Sequence, residues 1–537
     1  MKTLAILTNG GDSCALNASI KSIRDHAYKA GYKKIYGIRR GYQGLVDGWI
    51  EDITDKEIDP TIGGSCLGSL RVSPTDPCSK EERVKTGHTH KINEARCEEM
   101  ARCVSDYRID VLVVIGGDGT LQATRMFQEW VHQKRASREF RLFEIVGFLK
   151  TIDNDIRTFT NFQGVEVSLC PGFPSAVKKV VSCVEGLRVT VRTAERAFCV
   201  ETMGRDAGWL AAAATYGGAE ILLVPEHMEL WDKLYKRETK SHRDEVSNQI
   251  MESLVDTIIH FYQKNRNVLV AVAEGFEPVV EIDEVEDFRR VIADLYGPRK
   301  KVGATELVTM LVSPVLEYYF RCLSNLCVEA YDTVNMSDVI KKVLTETKKS
   351  PIGEKYKKKV DDVDEHPLKG WKVKARLQDV LELKENKTQA EEDTPKKLQD
   401  SCLSEEGRCK RSPLTVPPYK FEIRPHRTDY LPRSGSPSSY DYKLATVLGR
   451  KVGEMLLEVN REFGAVPALE QVVPYDKLTL NMVKTVRIEE IRTLNFNSID
   501  YFDRDFPLQV SKRITDFFRT IMTGPDNLDE AIREMEK

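Results

Sequence analysis

No run of about 18 apolar residues occurs in this chain of 537 residues, so no segment reads as a membrane-crossing helix. Nor does charge of one sign dominate. Lys plus Arg (80) nearly balances Asp plus Glu (83), which leaves no global basic field for nucleic acid; an anionic ligand must be held by local clusters. Cysteine lacks a pattern. The twelve are scattered, and the close pairs Cys97/Cys103 and Cys322/Cys327 have no second pair or histidines at zinc spacing, so they read as reduced thiols of a cytoplasmic protein. The opening "MKTLAILTNGGD" holds too short an apolar stretch for a signal peptide and reads as a first strand.

Hydrophobic residues (41%) and charged residues (30%) are in the proportions of a soluble globular protein long enough for two or three domains. Strand-like and helix-like stretches alternate: "TLAILT", "KIYGI", "DVLVVI" and "EIVGFL" are separated by amphipathic segments. That alternation predicts an α/β fold with a mostly parallel sheet covered on both faces. A second series, "RAFCVETMG", "ILLVPE" and "NVLVAVAEGF", predicts a second α/β domain. The first domain is expected at about residues 1–158, completed by about 435–470. The second is expected at about 159–434, with insertions at about 228–264 and 341–420, and a mainly helical segment at about 471–537. The 341–420 stretch is polar, mixed in charge and poor in large apolar groups.

Parallel sheets bind ligands outside the carboxyl ends of their strands, and three polar turns follow strands directly. In "VVIGGDGTLQA" (Val113 to Ala123), glycines would let backbone N–H groups approach phosphate oxygens, and the helix N-terminus would favour an anion. Asp118 would repel phosphate unless a divalent cation lay between them. Taken alone, "GGD" fits a plain turn equally well. "TNGGDS" (Thr8 to Ser13) is a second such turn, and the same alternative holds. "KTIDND" (Lys150 to Asp155) concentrates more polarity than a turn needs. There Asp153 could take a proton from a hydroxyl while Thr151 and Asp155 hold the acceptor and the water shell of a metal, which fits phosphoryl transfer. Arg205 follows a strand at a glycine turn, Glu274 ends another, and Arg424, Arg427 and Arg433 fall within ten residues. Arginine forks suit a dianionic phosphate ester; singly, each fits a surface position.

Together and in this order, "LTNGGDSCALN", "GYQGL", "IGGSCLGSLR", "IGGDGT", "KTIDND", "ETMGRDAGWLA", "AEG" and "RPHRTDYLPRSGSPSSYD" resemble the phosphofructokinase family. The resemblance implies two Rossmann-like parallel-sheet domains with the active site in the cleft between them, plus a polar insertion. It implies phosphorylation of the 1-hydroxyl of fructose 6-phosphate to fructose 1,6-bisphosphate, with ATP as donor, Mg2+ as cofactor and a cytoplasmic location. By motif position, Gly11, Gly117, Asp118, Gly119 and Thr120 resemble the donor site, with Tyr42 and Arg71 near the nucleotide and Asp118 as metal ligand. Asp153 resembles the catalytic base, with Thr151 and Arg205 in the catalytic set. Thr151, Asp153, Asp155, Met203, Gly204, Arg205, Glu274, Tyr430 and Arg433 resemble sugar-phosphate contacts. Arg196 and Arg424 match arginines that reach into a neighbouring subunit's site in the bacterial tetramer, which implies a homo-oligomer, dimer or tetramer.

The chain departs from the family pattern at three places. Ala15 stands for a glycine of the first loop, although Asn17 is kept, and its methyl could crowd a phosphate. Tyr430 replaces the histidine of the bacterial ATP enzymes, and "LPRSG" replaces Gln-Arg-Gly-Gly. Two positions carry donor choice. Gly119 is of the ATP type and leaves room for a nucleotide; Lys150 is of the pyrophosphate type but excludes nothing. ATP is the expected donor and pyrophosphate the alternative. A catalytically impaired regulatory subunit, suggested by Ala15 and Tyr430, is the reading of another class.

Overall fold

The computed structural model describes residues 2–87, 89–134, 140–141, 143–234, 243–278, 303–309, 311–313, 316, 421–458, 465–496 and 498–536. The polar 341–420 stretch and the Cys322/Cys327 pair lie outside the described residues.

Among the described residues, seven strands form one sheet in the order Val483–Arg487, Ala465–Leu469, Glu144–Leu149, Val111–Gly116, Lys2–Thr8, Tyr32–Ile38, Ile50–Asp52. The inner five run parallel and each edge strand is antiparallel to its neighbour. The central strand Val111–Gly116 is buried at every position, because helices cover both faces. The helices Leu16–Lys29 and Ser439–Met455 pack against each other. Ser438 caps the latter through the N–H of Asp441.

A second sheet has four parallel strands, ordered Ile221–Leu223, Val268–Ala273, Ala197–Thr202, Ile423–Arg427. The fold class read from the sequence, α/β with two parallel-sheet units, is the observed one.

Two segments carry more structure than expected. The stretch expected as an insertion near 228–264 contains the helix Arg243–Asn265, whose Ile250, Leu254, Ile258 and Tyr262, spaced by four, are buried in the core of the second sheet. The C-terminal stretch expected to be mainly helical supplies the edge strand Val483–Arg487 and a short strand, Arg492–Thr493, besides the helices Lys512–Ile521 and Leu528–Glu536.

Candidate active site

Three adjacent strands of the first sheet, Lys2–Thr8, Val111–Gly116 and Glu144–Leu149, end at the same edge and deliver the three polar turns side by side. Their side chains tie the turns together. Lys150 is only 4% exposed and its Nζ donates to the carbonyl of Gly11. Asn9 Nδ2 donates to Thr120 Oγ1 (3.4 Å). Within the third turn, Thr151 Oγ1 donates to Asp155 Oδ1 (3.1 Å) and accepts from the N–H of Asp153 (3.0 Å). Asn154 takes a left-handed conformation (φ 55°), which Asn tolerates, and Nδ2 anchors it to Ser168 O (2.8 Å). This places Asp153 and Asp155 on one rigid bend.

Electrostatics follow from depth. Burial pushes the Asp153 carboxyl up against the pull of Arg433 and Lys150, and Glu274 and Asp206 on the facing turns push the same way. Burial, and then Asp153, raise Asp155 to about 6. Burial and Arg433 lower Lys150 to about 8, although Asp153, Asp12 and Asp155 oppose the shift.

Asp118 begins the helix Asp118–Gln133. Its Oδ2 accepts from Gln122 Nε2 (2.8 Å) and Thr493 Oγ1 (3.1 Å), whereas its Oδ1 is buried without a hydrogen-bond partner among the described residues. A Cβ added at Gly119 would meet nothing within 4 Å, so open space lies beside this turn, while Gly117 lies against the Lys150 carbonyl. Gly11 has the opposite surroundings, since a Cβ there would come within 2.5 Å of Arg433 Nη1. Arg71 is exposed beside the first turn, where Gly10 N donates to Leu70 O (3.2 Å). Asn17 braces the preceding loop through Ile62 O (3.0 Å) and Cys66 N (2.7 Å).

The second sheet brings its own strand ends to face these turns. Thr202 is followed by Met203, Gly204 and the exposed Arg205; Glu274 N donates to Thr202 O (2.9 Å) and Gly275 N to Gly204 O (3.2 Å). Only glycine fits at 275, where a Cβ would lie 1.7 Å from the carbonyl oxygen of Arg205. Arg433 spans the two halves, with Nη1 donating to Asp12 O (2.9 Å). Tyr430 is 74% exposed on the same loop.

Three sequence-predicted residues stand elsewhere. Tyr42 is fully buried, with its hydroxyl on Thr124 Oγ1 (2.7 Å), and packs in the core instead of lining the donor side. Arg196 and Arg424 both pair with Glu422, toward the amino ends of their strands, about 20 Å and about 13 Å from the carboxyl edge of the same sheet. Ala15 is fully buried in the hydrophobic core of the first sheet. Sequence reasoning missed Thr493 and Gln122, the two donors to Asp118. Gln122, four residues after Asp118 on a helix, was findable from the spacing; Thr493 carried no local signal.

Residues 3–310 match the family described as Phosphofructokinase. An ATP-dependent 6-phosphofructokinase of Oceanobacillus iheyensis is 34% identical over 247 residues, covering 45% of this chain and 66% of that one. One from Spirochaeta thermophila is 33% identical over 231 residues, covering 42% and 56%. One from Persephonella marina is 30% identical over 307 residues, covering 56% and 78%. The chain thus spans less than two thirds of the first two relatives and more of the third. A pyrophosphate-dependent phosphofructokinase of Nitrosospira multiformis superposes with a TM-score of 0.56 at 14% identity, over 98% of this chain and 93% of that one. That of Marinobacter aquaeolei gives 0.55 at 14% identity over 98% and 92%. At such identity the likeness concerns the fold.

Proposed function

Because the chain belongs to the phosphofructokinase family, we propose that it transfers a phosphoryl group from ATP to the 1-hydroxyl of fructose 6-phosphate in the cytoplasm, with Asp153 as general base. The observation that carries the reading is the position of Asp153. It sits on a braced bend between the donor turns and the facing Arg205, Glu274 and Arg433, with its carboxyl raised by burial toward the range where a base works best. In the reaction Asp153 accepts the hydroxyl proton, Arg205 and Arg433 hold the sugar phosphate, and Gly117 to Thr120 present backbone N–H groups to the donor. Thr151 keeps Asp155 in place, and Met203, Gly204 and Glu274 shape the sugar pocket.

Mg2+ fits the residues present. The free oxygen of Asp118 offers one hard ligand, and no group of three His, Cys, Asp or Glu side chains competes among the described residues. The cation would take its other ligands from phosphate oxygens and water, as Mg2+ does, and would neutralise charge on the transferred group.

ATP is favoured over pyrophosphate by the open space at Gly119 and by Lys150, whose amine is committed to the Gly11 carbonyl. The impaired-subunit reading is weakened, since Ala15 is buried among apolar core residues. Arg196 and Arg424 are committed to Glu422 toward the amino ends of their strands, away from the turns of their own chain, which is consistent with an oligomer in which they serve a neighbour's site. The test is a coupled assay with fructose 6-phosphate and Mg2+, comparing ATP with pyrophosphate. Turnover with ATP is the expected result. Turnover with pyrophosphate alone would reverse the donor assignment, and turnover with neither in folded protein would defeat the proposal.

A further inference from the structure

The residues Arg492–Phe496 lie far beyond the matched 3–310 region, yet they touch functional turns of both sheets. Thr493 pairs with Ile156 in a two-stranded ribbon and places its hydroxyl 3.1 Å from Asp118 Oδ2. Leu494 N donates to the backbone carbonyl of Asp155 (2.7 Å), and its own carbonyl accepts from Trp209 Nε1 (3.3 Å). Phe496 N donates to Glu226 Oε1 (2.6 Å), which also accepts from Gly208 N (3.0 Å), three residues after Arg205. The Phe496 ring packs edge-on against Trp209, with centroids 5.0 Å apart. Five residues therefore connect the acidic donor turn, the bend carrying Asp153, and the helix that follows the Arg205 turn.

We propose that Arg492–Phe496 is a positioning strap of the site and that Thr493 orients Asp118 for the metal. Asp118 has two oxygens. Gln122 and Thr493 both donate to Oδ2, which leaves Oδ1, buried and without a partner among the described residues, as the oxygen a cation would take. A carboxylate on a glycine-flanked turn otherwise rotates freely about its side-chain bonds, and hydrogen bonds to one oxygen select the rotamer that presents the other. Thr493 touches neither reacting group, so its role is exerted through Asp118. The inference rests on the proposed phosphoryl-transfer reading, because only there does Asp118 need a cation.

The experiment is direct metal binding by the full chain. Mn2+ is titrated in the presence of ADP and followed by electron paramagnetic resonance, for the wild type, Thr493→Val and Thr493→Ser. Thr493→Val keeps the shape and removes the hydroxyl; it should weaken Mn2+ binding about tenfold, the scale of an outer-sphere hydrogen bond. Thr493→Ser restores the donor and should bind like the wild type, and the KM for fructose 6-phosphate should stay unchanged in both. Equal Mn2+ affinity in the wild type and Thr493→Val overturns the proposal, as does an equal loss in Thr493→Ser. Thr493 is exposed, so folding should survive. Should Thr493→Val fail to fold, Gln122→Ala at another exposed position removes the second donor to the same oxygen and must weaken Mn2+ for the proposal to stand. Wild-type turnover in the coupled assay separates the two readings. Its absence defeats the phosphofructokinase reading, whereas its presence with Mn2+ binding insensitive to Thr493→Val defeats only the strap.

Discussion

The two sheet edges that face each other across the cleft are built in opposite ways. On the first, the side chains of the Lys150–Asp155 turn are sunk and tied: Lys150 and Thr151 are buried, and Thr151 fixes both Asp153 and Asp155. On the second, Arg205, Glu274 and Tyr430 stand exposed, and it is the backbone that is held, through Gly275 to Gly204 and Glu274 to Thr202. On the proposed reading, the donor half is thus organised before any ligand arrives. The acceptor half would hold its turns in place and leave its side chains to be ordered by the sugar phosphate, so it should lose affinity, not fold, when they are removed.

The largest effect should come from the organised half. Asp153→Ser should lower turnover by about two to four orders of magnitude with the KM for the donor little changed; near-normal turnover in the coupled assay would remove Asp153 from the mechanism. The next prediction sharpens the contrast, because the second half also holds buried ionisable groups, Glu226 among them. Burial raises the Glu226 carboxyl to about 7. A carboxyl that binds its proton more tightly in the folded state contributes stability that is full below its ordinary value near 4.5 and is lost as pH rises through about 7. Glu226→Gln should abolish a fall on the order of 3 kcal/mol between pH 5 and pH 8. Urea denaturation at those two pH values measures it, and an unchanged difference would show that Glu226 does not set the dependence.

Arg205→Ala should raise the KM for fructose 6-phosphate about 10- to 100-fold, the range of a hydrogen bond to a charged group, with no change in the KM for ATP. Arg433→Ala should raise both, because Arg433 also holds the Asp12 carbonyl. If the two variants behave alike, the halves are not separable as described. The smallest effect belongs to Tyr430→Ala, which should change stability by less than about 0.5 kcal/mol in the same denaturation experiment, since the ring is mostly in solvent.

The sequence was most legible where the chemistry is carried by side-chain type and the position by strand ends. "NGGD", "GGDG" and "KTIDND" each follow an apolar run, and they do converge on one edge. Tyr42 shows the limit: "GYQGL" carries a motif position but not the direction of the ring, which packing against Phe127 and the Thr124 hydroxyl decides. In the helix Arg243–Asn265 a high charge count hid the four-residue apolar spacing that packs it against the second sheet. The strap was invisible for a deeper reason. Leu494 and Phe496 act through backbone N–H groups that every residue except proline possesses, so nothing in their identity announces the contact.

The route of the chain through the first sheet has a consequence for biosynthesis. Ala465 lies beside Val146, a neighbour made more than 300 residues earlier, and Val483–Arg487 closes the edge after it. A ribosome that has released the first 150 residues has produced five of that sheet's strands and left the edge strand Glu144–Leu149 with its outer backbone groups unpaired. The nascent chain must keep that edge from other chains while the whole second sheet is synthesised. Its slowest and most aggregation-exposed step should therefore be the late capture of the Ala465–Leu469 strand.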